Sequence, residues 1–154
     1  MTEWLQTIGA NFDFLPHLGS LLFAYVLALP IGWDREKHER SAGLRTFPLV
    51  AIASCGFIQA AEPLISGNAE ATARIVEGLI TGMGFIGGGA ILVVKASVRG
   101  TATAASLWAT GAIGTAVGLG SFDTAIVLSL VTLLTLRTLS NLKEEGKDDR
   151  REGE

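Results

Sequence analysis

The residues best suited to chemistry lie in one short run, Asp34-Arg35-Glu36-Lys37-His38-Glu39-Arg40, which follows a long apolar stretch. Two carboxylates flanking a guanidinium at such an edge admit two readings. One is a solvated loop whose alternating charges pair locally and anchor helix ends. The other gives Asp34, Arg35 and Glu36 a structural or ligand-binding role at the mouth of a helical bundle. Arg45 then either reaches Asp34 or Glu36 or snorkels toward water. An Asp34/Glu36 pair also suits a hard divalent cation such as magnesium, which prefers carboxylate oxygens. The sequence names no metal.

Glu77 is a second candidate. It stands about two turns inside an apolar stretch, where a carboxylate is costly enough to count as functional unless paired. Arg74 three residues earlier is spaced for a local ion pair. Arg99 adds a cation at the mouth of the next apolar stretch. Glu77, Arg99 and the charged run together motivate a small-ion or solute channel or transporter.

Catalytic sets are missing from the pattern. No Ser/His/Asp constellation, metal-spaced His or Cys group, or phosphate-cradling loop is present, so the expectation is a protein that is not an enzyme and uses no cofactor. Cys55 is the single cysteine, which excludes an internal disulfide and a thiolate-pair metal site; a small apolar packing role suits it. No basic stripe with interleaved aromatics occurs, so nucleic acid is not an expected partner.

The elements that must position these residues are five apolar stretches, at 16–33, 44–61, 71–94, 101–119 and 122–139. Each approaches the ~20 residues an α-helix needs to cross a hydrocarbon core of ~30 Å. A mean hydropathy of +0.43 and 49% hydrophobic residues suit a membrane protein better than a soluble one. If all five cross, every one of the twelve basic residues except Arg74 falls on one side. Short loops rich in Lys and Arg stay in the cytoplasm. The expected fold is an all-α, polytopic bundle of five transmembrane helices, N-terminus outside and C-terminus cytoplasmic.

Within this frame, residues 1–15 read as an amphipathic interfacial segment, with no positively charged leader before the first apolar run. Residues 16–142 form the membrane domain. Residues 143–154 are almost wholly charged and read as a disordered tail. Pro48 falls in the first turn of the second helix, where a missing N–H is tolerated. Ser66-Gly67-Asn68 reads as a turn.

The third stretch is crowded with glycine: Gly78, Gly82, Gly84, Gly87, Gly88 and Gly89. Gly78/Gly82 and Gly84/Gly88 are spaced as GxxxG, which lets another backbone approach closely. Plain close packing is one reading. A helix opened at Gly87-Gly88-Gly89 to line a ligand or ion site is the other. Gly43 and Thr46 allow tight approach of the preceding loop. In the fourth stretch, after Gly100, Thr103 offers a hydroxyl across the bundle, and Trp108 falls near mid-span, where its N–H needs a protein partner.

Three segments in order, IGWDREKHERSAGLRTFPLV, ITGMGFIGGGAIL and VRGTATAASLWATGAIGTAVGLG, resemble the N-terminal membrane domain of the MgtC/SapB family. The resemblance implies a multi-pass protein of the bacterial inner membrane, linked to growth under magnesium limitation and to virulence through survival in macrophages. It implies a regulator rather than a magnesium transporter, with the proton-driven ATP synthase as the protein partner by family analogy. Lipid and further copies of the chain are the other expected partners. By motif it singles out Asp34, Arg35, Glu36, Gly43, Arg45, Thr46, Gly82, Gly84, Gly87, Gly89, Arg99, Gly100, Thr103 and Trp108. Trp33-Asp34 stands where members usually carry Leu-Glu, and Phe47 where His or Asn is frequent. Ending after the charged tail, the sequence matches a short form without the family's C-terminal ACT-like domain.

Overall fold

The structure is a computed structural model that describes residues 14–37, 42–94 and 97–151. Apart from Phe14 and Leu15, the interfacial segment expected at residues 1–15 lies outside the described residues. Among the described residues the chain forms α1 (Phe14–Lys37), α2 (Thr46–Ala60), a one-turn α3 (Glu62–Ile65), α4 (Ala69–Gly89), strands β1 (Leu92–Val94) and β2 (Ser97–Arg99), α5 (Thr101–Gly118) and α6 (Phe122–Arg151).

α1 corrects the expected boundary. It passes through Pro30 and does not stop near Trp33, so Asp34, Arg35 and Glu36 are helical rather than part of a loop. The helix survives because its polar residues find partners: Asp34 and Arg35 share the buried side with Ile31, while Trp33 and Lys37 point outward. The Lys37 ammonium lies 5.4 Å from the Trp33 ring centroid, a cation–π contact one helical turn apart.

Cross-helix contacts fix the directions. The Gln59 side-chain amide donates to the His17 carbonyl at 3.3 Å, so α1 and α2 are antiparallel. Phe23 meets Phe122 edge-to-face at 5.5 Å, and the Ser129 hydroxyl donates to the Leu27 carbonyl at 2.7 Å. α1 and α6 therefore run parallel. α5 lies parallel to α2 and antiparallel to α4, because Gly114 abuts the Ala51 carbonyl, Gly118 abuts Ile58, and Gly111 and Gly87 face Met83 and Ala104 respectively. α1, α4 and α6 thus point one way, α2 and α5 the other.

Small residues on α5 make this possible. A methyl group at Gly114 would collide with the Ala51 carbonyl, and one at Gly118 would lie 2.7 Å from the Ile58 Cβ. Around these contacts Ile31, Phe47, Cys55, Leu107 and Ile113 form the buried core. Three hydroxyls on α5 are tied back to their own helix: Ser106 donates to the Thr103 carbonyl at 3.0 Å, Thr110 to the Ser106 carbonyl at 2.8 Å and Thr115 to the Gly111 carbonyl at 2.9 Å.

The third apolar stretch is not a single helix across 71–94. α4 starts at an Asn68 cap, whose side chain accepts from the Ala71 N–H at 3.0 Å, and it is unbroken through Gly87-Gly88-Gly89. It then gives way to an antiparallel hairpin pairing Leu92 with Arg99 and Val94 with Ser97. This hairpin departs from the expected all-α composition, and β-branched valines at 93, 94 and 98 explain the strands. Gly100 closes it at φ +90°, where a side chain would also strike the Ala90 carbonyl. α6 is helical to Arg151; Glu, Lys and Arg in its last turns are good helix formers.

Two helices are long and apolar enough to cross a membrane, α1 and α6 over Phe122–Leu139, and α2 is apolar but shorter. Large apolar side chains are exposed on their outer faces, among them Leu22, Val26, Phe57, Val127 and Leu134.

Candidate functional site

The last turn of α1 supplies the charged centre. Asp34 is 5% exposed and Arg35 2%, positions at which charges occur only when paired. The Arg35 guanidinium donates to Asp34 Oδ2 through Nη2 at 2.6 Å and through Nε at 3.2 Å. Arg137 of α6 brings its Nε to 3.8 Å from Asp34 Oδ1. One buried carboxylate therefore sits between guanidiniums from two parallel helices.

Glu36 is engaged separately. Its Oε2 accepts the Leu44 backbone N–H at 3.0 Å, tying the end of α1 to the segment that enters α2. Gly43 is the residue that allows this approach, since a Cβ there would occupy the position of the Glu36 carboxylate. Gly32 completes the crossing, with the Gly43 carbonyl, the Leu44 Cα and the Phe47 Cβ all 3.2–3.3 Å from where its Cβ would stand. The sequence reading missed Gly32 and Arg137. A glycine two residues before a charged run, and a lone arginine closing the last apolar stretch, were the available signals.

The other sequence candidates are not brought into this cluster. Arg45 is exposed and makes no ion pair with Asp34 or Glu36 among the described residues; Arg137 and the Leu44 N–H stand there instead. Arg99 lies exposed on β2. Arg74 pairs with Glu70 at 2.8 Å, not with Glu77. Glu77 is exposed on α4, and among the described residues its carboxylate has no partner, while its backbone carbonyl also accepts the Thr81 hydroxyl at 2.9 Å. Among the described residues no cluster of three or more His, Cys, Asp or Glu could hold a metal ion.

The glycines divide into two sets. Gly43, Gly87 and Gly100 sit against other backbone or side chains, whereas a Cβ at Gly78, Gly82, Gly84, Gly88 or Gly89 would meet nothing within 4 Å. The GxxxG pairs of α4 therefore do not pack within the chain. Thr103 is buried, while Trp108 is 48% exposed beside a crevice between α4, α5 and α6 rather than sealed in the core. A larger groove of about 1020 Å³ separates α2 from α4, running from Thr46 and Ile86 at one end to Ala61 and Ile75 at the other. Its walls are almost wholly apolar.

The charged cluster is a lock. Asp34 and Glu36 are both already occupied, one by guanidiniums and one by a backbone N–H. It joins α1, the entry to α2 and α6 at one end of the bundle. At the other end, His17 and Glu62 stand 3.6 Å apart.

The MgtC family model matches residues 21–145. Protein MgtC of Salmonella typhimurium LT2 is 36% identical over 118 residues, covering 77% of this chain and 50% of that protein. Protein SrpB of Synechococcus elongatus is 37% identical over 135 residues, covering 80% and 74%. YhiD of Escherichia coli K12, whose name marks it as a candidate magnesium transporter, is 34% identical over 131 residues, covering 79% and 60%. The chain spans about half the length of MgtC. No solved structure matches it.

Proposed function

The chain belongs to the MgtC family, and on that premise we propose that it is a multi-pass inner-membrane protein with a non-enzymatic, regulatory role under magnesium limitation. Five crossings, with the N-terminus outside and the C-terminus in the cytoplasm, are part of this reading. The alternating helix directions support it. So does the placement of Arg35, Lys37, Arg45, Arg99 and Arg137 at the end of the bundle opposite Arg74. α4 and α5, at 21 and 18 residues, are about 31 and 27 Å long, close to the thickness to be crossed. MgtC itself supplies the link to magnesium physiology by analogy, together with the proton-driven ATP synthase as a protein partner and the tie to virulence.

The observation that carries regulation over transport is the engagement of Asp34 and Glu36. A magnesium site needs carboxylate oxygens open to the ion. Here Arg35 and Arg137 flank one carboxylate and the Leu44 N–H holds the other. The charged end thus braces the bundle, leaving its exposed helix faces to meet another membrane protein.

A second reading, transport of a small ion, draws on Glu77 of α4 and on the name borne by YhiD. One experiment separates the two. Full-length protein is reconstituted in liposomes for magnesium flux, and in parallel proton pumping is followed in inverted vesicles from magnesium-starved cells with and without the chain. Regulation predicts altered pumping without flux. Magnesium flux abolished by Glu77→Gln would replace it with transport.

A further inference from the structure

We propose that the outward face of α4 is a two-fold contact with a second copy of this chain, in which Phe85 of each protomer enters a glycine hollow of the other and Arg74 of each pairs with Glu77 of the other. The inference rests on α4 crossing the bilayer, as the proposed topology has it.

α4 packs within the chain along one side, through the buried Met83 and Gly87 against α5. Glu70, Arg74, Glu77, Thr81, Gly84 and Gly88 are all exposed. Their i+3 and i+4 spacing puts them on one stripe that runs the length of the helix. A stripe with three charges is a poor surface for lipid. Glu77 stands eight residues after Ala69, about 12 Å along the helix, and its side chain has no ion-pair or hydrogen-bond partner among the described residues. A carboxylate at that depth calls for protein contact.

The same helix offers the contact. Phe85 is 86% exposed, more than any other large apolar side chain among the described residues, and stands with Gly82 at the rim of the groove between α2 and α4; a Cβ at Gly82, Gly88 or Gly89 would meet nothing within 4 Å. Two copies inserted with one topology have parallel α4 helices, related by an axis along the membrane normal, and such an interface is isologous. Each residue then lies beside residues three or four positions away on the other helix. Phe85 comes against Gly82, Gly88 and Gly89, and Arg74 against Glu70 and Glu77. One offset satisfies the ring and the charges together. This self-complementarity singles out a second copy over an unrelated helix. The glycines let the backbones close in, as small residues do between membrane helices.

The test uses the full chain in native membranes, with the buried Cys55 left in place as an unreactive background. Thr81→Cys and Gly84→Cys should form disulfide-linked dimers on mild oxidation, while Val127→Cys on exposed α6 should not, because only the α4 positions bring Cα atoms within ~7 Å of their equivalents. Adding Arg74→Glu to Thr81→Cys should lower the crosslinked fraction about threefold, the scale of a polar contact between membrane helices, and Glu77→Arg in the same chain should restore it. A variant that merely misfolds would not be rescued. Equal crosslinking from Val127→Cys, or none from α4 with Thr81→Cys shielded from a water-soluble maleimide, overturns the contact alone. Ready labelling of Thr81→Cys by that reagent overturns the membrane path of α4 and the contact with it.

Discussion

Arg137 holds its Nε 3.8 Å from the carboxylate of Asp34, joining the last described helix to the first although most of the chain lies between them. The contact is unequal. Asp34 is buried, whereas the Arg137 side chain is 62% exposed, and its inner partner Arg35 is sealed in. These two guanidiniums should respond differently to loss of their partner.

Asp34→Asn should destabilise the bundle severely. It leaves Arg35 charged and buried, and removing one member of a buried pair costs about 3–5 kcal/mol. Arg137→Gln removes an exposed, longer contact and should stay within about 1 kcal/mol. Thermal unfolding in detergent ranks the two. Equal losses would mean that Arg137 contributes as much as Arg35.

Gly43→Ala should break the tie between the end of α1 and the entry to α2, since the new methyl group and the Glu36 carboxylate claim the same space. Glu36→Ala removes that collision together with the bond to the Leu44 N–H. The double variant should therefore lose less stability than the sum of the singles, a coupling of about 0.5–3 kcal/mol. Strict additivity in a double-mutant cycle would show that the two residues do not meet.

Glycines should sort by what surrounds them. Gly114→Ala drives a methyl group into the Ala51 carbonyl, a backbone atom that cannot turn aside, so α2 and α5 must separate. Gly19→Ala meets nothing within 4 Å and gains helix propensity of up to about 1 kcal/mol. Unfolding midpoints should move in opposite directions.

Ser129→Ala should cost about 0.6 to 2 kcal/mol, the range for hydrogen bonds between membrane helices, because it deletes the bond from α6 to the Leu27 carbonyl. The loss should fall on the α1–α6 seam. Proteolysis or hydrogen exchange there should rise, while the seam between α2 and α5 keeps its protection.

Much of this fold was legible in the chain. The starts of α2, α5 and α6 fall at or within two residues of the apolar edges, because Pro48 and the turns before each stretch fix them locally. The end of α1 was not legible. Whether Asp34 and Arg35 belong to a solvated loop or have a structural role stays open until Arg137 and the packing of Phe47 against Gly32 are known, and no local spacing encodes those distant partners. The hairpin at Leu92–Arg99 was hidden for a related reason: Leu92-Val93-Val94 extends an apolar run, and hydropathy does not separate helix from strand over so few residues. In the candidate site the carboxylates were found, but Arg45 was the arginine the spacing suggested and Arg137 the one the fold supplies. Contiguity favoured the former; the parallel alignment of α1 and α6 chose the latter.

That parallel alignment has a bearing on biogenesis. An antiparallel pair such as α1 and α2 can zip together as soon as both have emerged, but the first helix has to wait for the sixth. Until α6 is made, Asp34 and Arg35 stand without the guanidinium that Arg137 brings to them. The bundle is thus closed by its last helix, and a ribosome stalled before Arg137 would leave an open, protease-sensitive sheaf of helices.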